Sequence, residues 1–274
     1  MLTVTVHGVR GSSPVCGPDT VRYGGNTSCV ALESPGRRPI VFDLGTGLRS
    51  FGTPWQGREG TPIDLLALVT HLHWDHIQGL PFFPPLFNPR SHVELLGPAQ
   101  DHGSFEDGMR DAVRPPMFPV TFDDFPGTFS FRDMGDSDIE VDGWRIRSRF
   151  VPHLGPTLGY RVEIDGRSVA YISDHQQTLD GPFVVPDSVH ELADGADVLI
   201  HDAQYTEADL VHKERWGHCT PDFARFVARE CGAGTLVLHH HDPSRTDAEL
   251  DALACEGRVS GNERVGREGL RLEL

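Results

Sequence analysis

Apolar patterns predict that the first half of the chain is rich in β-strands. Residues 2–8 alternate apolar and polar side chains, which is typical of a strand with one buried face. Continuous short apolar runs, bounded by glycine, proline or polar residues, indicate further strands. These runs are 29–32, 40–44, 63–69 and 93–96.

Two β-hairpins are expected further along the chain. Strand-like residues 139–151 surround Asp142-Gly143, and residues 158–173 surround Asp165-Gly166. Both Asp-Gly pairs suit the positive φ angles of a tight hairpin turn.

Between about 99 and 135 the strand pattern is interrupted. A short helix is predicted after Ser104, with Asp107 three residues on as its capping partner. Long regular structure is then disfavoured because prolines recur in this segment. They are Pro115, Pro116, Pro119 and Pro126. The segment 99–135 is therefore predicted to be a Pro-rich loop or lid within a single domain spanning residues 1–274.

In the last third, strands and helices are interleaved. Buried strands are predicted at 197–200 and 235–238, and the alternating leucines at 270, 272 and 274 predict a final strand. Thr220-Pro221 begins a helix that ends near Gly232, and Thr246 begins another that ends near Gly257. The order of elements predicts an α/β (α+β) fold with two sheets and helices packed outside them.

Composition narrows the function classes. The 274 residues include 24 Lys+Arg and 40 Asp+Glu, a net charge of −16, and Arg37-Arg38 is the nearest approach to a basic run. Long nucleic acid is disfavoured as a partner, because its binding depends on neutralising phosphates. An integral membrane protein is excluded, since no apolar run approaches about 20 residues. The five cysteines form no C-x-x-C pair and no secretion signal begins the chain, so a cytoplasmic protein with reduced thiols is predicted.

Candidate chemistry concentrates where the predicted strand 63–69 ends. The residues Thr70-His71-Leu72-His73-Trp74-Asp75-His76 offer three imidazoles and a carboxylate within six positions. In an extended chain His71 and His73 point the same way, and a turn then carries Asp75 and His76 to a neighbouring position. This arrangement suits two adjacent metal ions rather than one. The alternative is that the histidines cluster at the end of the strand by chance. Imidazole and carboxylate without thiolate favour Zn²⁺, with Mn²⁺ or Fe²⁺ as alternatives.

The H-x-H-x-D-H motif resembles that of the metallo-β-lactamase-fold hydrolases. The resemblance implies an αββα sandwich of two mixed β-sheets, with two metal ions between the sheet edges. It also implies further ligands at three later strand ends, where Val151-Pro152-His153, Ile172-Ser173-Asp174 and the run His239-His240-His241 occur. The implied ligand set is His71, His73, His153 and Asp174 for one ion, and Asp75, His76, Asp174 and His240 for the other. His239 and His241 remain alternatives to His240.

Other segments resemble the phosphodiesterase and ribonuclease Z-like branch of that family. They are the stretches 8–14 and 22–28, both rich in glycine, and Phe-Asp-Leu-Gly-Thr-Gly around Asp43. The resemblance implies that Asp43 lies beneath the metal centre and hydrogen-bonds a ligand, although an Asp-Gly turn at the end of a strand is the plain alternative.

A second marker of this branch is His201-Asp202, followed by Gly217-His218-Cys219-Thr220. The resemblance implies that Asp202 pairs with His218 and that His218 protonates or stabilises the leaving group. The chain departs from the family pattern in having Asp202 for Glu and Cys219 for Ser. The alternative is that His218 caps a helix or is merely buried.

The function expected from the resemblance is hydrolysis of a small or cyclic phosphodiester by a metal-bridging hydroxide, with Asp75 orienting the nucleophile or accepting its proton. A ribonuclease Z-like tRNA 3′-processing endonuclease is one alternative; against it, the segment 99–135 carries acidic residues such as Asp123 and Asp124 and resembles a lid more than a tRNA clamp. A lactonase or β-lactamase-type hydrolase and a non-catalytic metal-dependent sensor also remain open. Family members are frequently homodimers, but the sequence identifies no interface.

Overall fold

Two β-sheets form the centre of the protein. The computed structural model describes residues 1–55, 61–256 and 262–274. Its first sheet has the order β14-β1-β2-β3-β4-β5-β6 and its second the order β13-β12-β11-β10-β9-β8-β7. The strands of the first sheet are β1 (Thr3–Gly8), β2 (Cys29–Glu33), β3 (Ile40–Phe42), β4 (Asp64–Leu68), β5 (His92–Pro98), β6 (Thr128–Met134) and β14 (Arg271–Glu273). Those of the second are β7 (Ser137–Val141), β8 (Trp144–Phe150), β9 (Leu158–Ile164), β10 (Arg167–Ile172), β11 (Val198–Asp202), β12 (Thr235–His239) and β13 (Glu263–Val265).

The described residues form seven α-helices, most of which pack on the outer faces of the sheets. They are α1 (Leu48–Gly52), α2 (Trp74–Ile77), α3 (Phe105–Ala112), α4 (Asp187–Ala193), α5 (Glu207–Lys213), α6 (Pro221–Glu230) and α7 (Asp247–Glu256). Among the helices of the described ranges, none is both long enough and apolar enough to cross a membrane.

Three apolar layers hold the sandwich together. One lies between the sheets and includes Phe42, Trp144 and Tyr160. The other two lie on the outer faces, where residues such as Phe105 pack on the first sheet and Phe223 on the second. Because both faces of each central strand are buried, those strands read as continuous apolar runs in the sequence. The αββα sandwich expected from the sequence is confirmed.

Both sheets change from antiparallel to parallel pairing in the middle. In the first sheet, β14, β1, β2 and β3 pair antiparallel, and β3 through β6 pair parallel. In the second, β7 through β10 pair antiparallel, and β10 through β13 pair parallel. The carboxyl ends of parallel strands are where open α/β sheets bind ligands. Each sheet thus presents such an edge.

The two hairpin predictions are confirmed. Asp142 and Asp165 have φ angles of 52° and 50°, and each is followed by a glycine with positive φ. The turns join β7 to β8 and β9 to β10 in antiparallel register.

The predicted lid is wrong over much of its length. Residues 128–134 form β6, an edge strand that pairs in parallel with β5. The helix expected after Ser104 is α3, capped by Ser104 and Asp107, and it buries Phe105 against the first sheet. The recurrent prolines lie in the irregular chain between α3 and β6, where they disfavour regular structure because each lacks a backbone N–H donor.

Candidate metal centre

The predicted ligands converge at the carboxyl ends of strands from both sheets. His71 and His73 follow β4, and His73 is the N-terminal cap of α2, which carries Asp75 and His76. Asp174 follows β10, while His153 and His240 follow β8 and β12. A sharp turn into α2 therefore divides the H-x-H-x-D-H motif between two neighbouring groups.

The first cluster consists of His71, His73, His153 and Asp174. His71 Nε2 lies 2.8 Å from His73 Nδ1, which lies 3.4 Å from His153 Nε2. Asp174 Oδ2 lies 3.7 Å from His71 Nε2 and 3.6 Å from His153 Nε2. His73 is exposed, so this cluster opens to solvent.

The second cluster consists of Asp75, His76 and His240, with Asp174 as its fourth member. Asp75 Oδ2 lies 3.1 Å from both His76 Nε2 and His240 Nε2. Asp174 Oδ1 lies 3.2 Å and 3.4 Å from the same two nitrogens. All four residues are buried.

The donor atoms fit two metal ions. Four ligands about 2.1 Å from a tetrahedral zinc ion stand about 3.4 Å apart, close to the separations within each cluster. Asp174 turns Oδ2 to the first cluster and Oδ1 to the second, as a bridging carboxylate does. Among the described residues, Asp174 Oδ1 is buried without a hydrogen-bond partner. A buried carboxylate oxygen in that condition is costly unless a cation lies beside it.

Electrostatics differs between the two clusters. Burial lowers the pKa of His71 and His153, and the partial burial of His73 lowers the pKa of that imidazole as well, so all three favour the neutral form that binds metals. Burial also opposes charge on His76, but the facing carboxylates outweigh it and raise the pKa of that imidazole. For Asp75, burial acts to raise the pKa, yet the facing imidazoles outweigh it and hold the pKa well below its ordinary value. The second cluster therefore combines stronger negative charge with deeper burial.

Asp43 lies beneath both clusters and accepts hydrogen bonds from several groups. Its carboxylate accepts from His76 Nδ1 at 2.8 Å and from Tyr171 Oη at 2.9 Å. It also accepts from the backbone and the hydroxyl of Thr70, at 2.8 Å and 3.0 Å. The Thr70 hydroxyl lies 3.0 Å from His71 Nδ1. Asp43 thus fixes the orientation of His76 directly and that of His71 through Thr70, as expected of a carboxylate behind ligating histidines.

His153 and His240 also have a hydrogen-bond partner for Nδ1. His153 donates to the Gly217 carbonyl at 2.7 Å, and His240 donates to Gln204 Oε1 at 2.8 Å. A Cβ on Gly217 would lie 2.3 Å from His153 Nδ1, and one on Gly11 would lie 2.4 Å from His240 Nδ1. Two glycines therefore let the backbone approach the two ligands closely.

The three consecutive histidines after Leu238 occupy different surroundings. His240, with a φ of 60°, faces the second cluster. His239 packs against Tyr171, and His241 donates from Nε2 to the Gly266 carbonyl. Of the three alternatives, the geometry brings only His240 to the predicted ligands.

His218 lies between the two clusters. Its Nδ1 donates to Asp202 Oδ2 at 2.9 Å, as predicted for this pair. Its ring centroid is 5.3 Å from that of His153 and 5.0 Å from that of His240. Asp174, His218 and His240 also lie close enough to form a further group of metal-binding atoms. Cys219 donates to the Asp202 carbonyl and its pKa is raised by burial, so this thiol is a structural neighbour of the pair.

The sequence did not predict two residues that hydrogen-bond to the predicted ligands His240 and Asp75. Gln204 lies two residues after Asp202 and Ser12 lies within the glycine-rich stretch 8–14, but the sequence pattern predicts no role at the site for either side chain. Ser12 donates from its backbone to Asp75 Oδ2 at 2.7 Å and has a φ of 61°. The signal for Gln204 was its place just after a buried parallel strand, beside Asp202.

Comparison with known proteins agrees with this geometry. The sequence profile of the β-lactamase superfamily domain matches residues 38–241, which include every predicted metal ligand. The chain belongs to this superfamily. Membership confirms the resemblance drawn from the H-x-H-x-D-H motif and makes the protein a metallo-β-lactamase superfamily hydrolase. The fold of this superfamily implies that the protein binds divalent metal.

Individual members of the superfamily are similar over nearly the whole chain. Ribonuclease Z of Haloarcula marismortui is 26% identical over 306 aligned residues, covering 94% of this chain and 91% of the relative. The metallo-β-lactamase fold protein YhfI of Bacillus subtilis has a TM-score of 0.74 at 18% identity, covering 100% and 99% of the two chains. A diphosphatase from the PhnP family has a TM-score of 0.73 at 22% identity, covering 100% and 98%.

Proposed function

We propose that the protein is a dinuclear metal-dependent phosphodiesterase that acts on a small or cyclic phosphodiester. The observation that carries the proposal is the buried His218–Asp202 pair, which stands beside both clusters without being needed to complete either. A hydrolase of lactones or β-lactams can use the same metal ions without a phosphate-binding histidine.

The seven ligands named above would hold two divalent ions, with Asp174 between them. Bound there, the ions would lower the pKa of a coordinated water and neutralise charge on the phosphoryl oxygens. Zn²⁺ fits the imidazole and carboxylate donors, and Mn²⁺ or Fe²⁺ also accept such a set.

Asp75 and His218 would share the proton transfers. The depressed pKa of Asp75 keeps its carboxylate ionised, so it can orient an attacking water by accepting a hydrogen bond from it. Asp202 holds Nδ1 of His218, which leaves Nε2 to donate a proton to the departing oxygen. One residue on the nucleophile and another on the leaving group is the arrangement that in-line displacement at phosphorus requires.

Two exposed tryptophans favour a substrate with an aromatic group. Trp74 directly follows His73 and is 51% exposed, and Trp216 directly precedes Gly217 and is 58% exposed. In the chain, Trp74 therefore adjoins a residue of the first cluster, and Trp216 adjoins the residue that accepts the hydrogen bond of His153. Flat apolar side chains at the mouth of a phosphate site suit a nucleobase, so a cyclic nucleotide is our preferred substrate.

A ribonuclease Z-like activity on precursor tRNA is the second candidate. It is favoured by the similarity to the Haloarcula protein named ribonuclease Z, which extends over most of both chains. The net charge of −16 opposes it, because a tRNA backbone must be neutralised by basic side chains.

A substrate panel with zinc-loaded protein tests the proposal. We expect turnover of bis-p-nitrophenyl phosphate and of a cyclic nucleotide, and none of a lactone or a β-lactam. Asp174→Ala protein, purified in parallel, is the control for contaminating hydrolases. Cleavage of a precursor tRNA at far lower concentrations than any small diester would favour the second candidate. If no substrate is turned over in a metal-dependent way, the assignment is contradicted, and the remaining alternative is a non-catalytic metal-dependent sensor.

A further inference from the structure

Ser12 lies at the edge of the second cluster, outside the predicted ligand set. Its backbone N–H donates to Asp75 Oδ2 at 2.7 Å, and the preceding Gly11 packs against the ring of His240. The side chain of Ser12 is exposed. Its left-handed φ of 61° is unfavourable for serine and is maintained here by contacts with the site.

Hydrogen-bond direction can be followed from the cluster to Ser12. His240 turns Nε2 to the carboxylates of the second cluster, so its other nitrogen, Nδ1, carries a proton. That N–H donates to Gln204 Oε1 at 2.8 Å. With its oxygen used in this way, the Gln204 amide presents its NH₂ group, which donates to Ser12 Oγ at 3.0 Å.

The Ser12 hydroxyl, which accepts this hydrogen bond, consequently keeps its own proton to donate. A hydroxyl that accepts from an amide still has one O–H to donate. Within residues 1–55, 61–256 and 262–274, Ser12 Oγ has no acceptor for it, whereas the neighbouring Ser13 hydroxyl donates to the Pro14 carbonyl at 3.2 Å. An oriented and exposed donor therefore stands beside the second cluster.

We propose that the Ser12 hydroxyl donates a hydrogen bond to an anionic phosphoryl oxygen of the bound substrate or product, and that Gln204 is the positioning residue that leaves this donor free. The proposal rests on the proposed phosphodiesterase function. Hydroxyl donors to phosphate oxygens form charge-assisted hydrogen bonds, which are stronger than neutral ones and hold the phosphoryl group in one orientation.

Removing the hydroxyl tests the contact itself. In zinc-loaded protein, Ser12→Ala should weaken the binding of inorganic phosphate, measured by calorimetry, and lower kcat/KM for bis-p-nitrophenyl phosphate. A loss of about 10- to 100-fold is expected, the range for a hydrogen bond to a charged group. Metal content should be unchanged. Ser13→Ala is the matched control and should bind phosphate as the wild type does.

A second variant tests the direction of the hydrogen bonds. Gln204→Glu keeps an acceptor for His240 but replaces the NH₂ donor by a second carboxylate oxygen, which would take the Ser12 proton. This variant should lose phosphate affinity, both through the captured proton and through charge repulsion. Adding Ser12→Ala to Gln204→Glu should then cause no further loss. An additional loss equal to that of Ser12→Ala alone would overturn the role of Gln204.

The outcomes separate this inference from the proposed function. Unchanged phosphate affinity in Ser12→Ala, with wild-type turnover of diesters, overturns the inference and leaves the function standing. A wild type that binds phosphate through Ser12 but hydrolyses no diester overturns the function alone. A wild type that neither binds phosphate nor hydrolyses any diester overturns both. If Ser12→Ala is poorly folded, Ser12→Gly removes the same hydroxyl and also relieves the unfavourable φ.

Discussion

The two metal-binding clusters share Asp174 but differ in how tightly the protein surrounds them. The first has three imidazoles, one of which, His73, is exposed. The second has two imidazoles and a second carboxylate, Asp75, and is buried throughout. The first is thus the open side of the centre and the second its closed side.

The surroundings of each cluster sharpen this difference. In the second, Asp43 holds His76, Gln204 holds His240 and the Ser12 backbone holds Asp75. In the first, His71 and His153 are held through Nδ1, but His73 uses Nδ1 to face the cluster and is itself exposed. We infer that the closed cluster is built to retain its ion and that the open one admits substrate.

The largest effect is expected from Asp174→Ala, because this residue alone serves both clusters. Its loss removes a ligand from each ion and leaves the mutual repulsion of the two ions less compensated. Activity on bis-p-nitrophenyl phosphate should fall by more than about 10⁴-fold, beyond the range of one acid-base group. Elemental analysis should find fewer than two tightly bound ions. Asp180→Ala, an exposed residue beyond the site, is the control.

His218→Ala should have the next largest effect, and the effect should depend on the leaving group. With a poor alkoxide leaving group, the loss should be about 10²–10⁴-fold, since general acid catalysis is removed. With p-nitrophenolate, which leaves without a proton, the loss should be much smaller. Both ions should remain bound, because each cluster is complete without His218. Equal losses with both leaving groups, or loss of metal, would make His218 a structural residue.

The fold was readable from the sequence wherever burial alone determined the pattern. Continuous apolar runs marked the central strands, and the Asp-Gly pairs marked both hairpins. The strand β6 was missed because its neighbours are rich in proline, although Phe129 and Phe131 alternate with polar residues. The short helix α4 was missed as well, since only three of its residues are buried and its N-terminal cap is a proline without a side-chain hydrogen bond.

The sequence predicted the side chains that the structure brings together at the candidate metal centre, but not the residues that support them. Histidine and aspartate at strand ends announce metal binding by their chemistry alone. Gln204 and Ser12 carry no such chemical signal, because their roles depend on hydrogen bonds to His240 and to Asp75 that join segments far apart in the chain. The choice among three consecutive histidines likewise needed the left-handed backbone of His240, which residue type does not reveal.

A matched pair of glycine variants would affect one cluster at a time. In Gly11→Ala the new Cβ would displace His240 from the closed cluster, and in Gly217→Ala it would displace His153 from the open one. Misoriented ligands typically lower metal affinity by about 10- to 100-fold. Zinc titration should therefore show one weakened site in each variant and one unchanged.

Gly155→Ala is the control for this pair. Gly155 has a φ of 79°, close to the 93° of Gly217, but its added Cβ would meet nothing within 4 Å. It therefore reproduces the backbone strain without a clash at a ligand. A loss of metal in Gly155→Ala as large as that in Gly217→Ala would show that strain, not displacement of His153, causes the effect.

The smallest expected effect is a difference in the rate at which the two ions leave. A chelator should remove zinc in two phases, with the faster phase from the open cluster, because His73 is exposed while every ligand of the closed cluster is buried. A ratio of about tenfold corresponds to about 1.4 kcal/mol in the barrier, near the net contribution of one buried hydrogen bond. The glycine variants assign the phases: Gly217→Ala should accelerate the fast phase and Gly11→Ala the slow one. The reverse assignment would mean that a buried position does not slow release and that the closed cluster is the one that exchanges its ion.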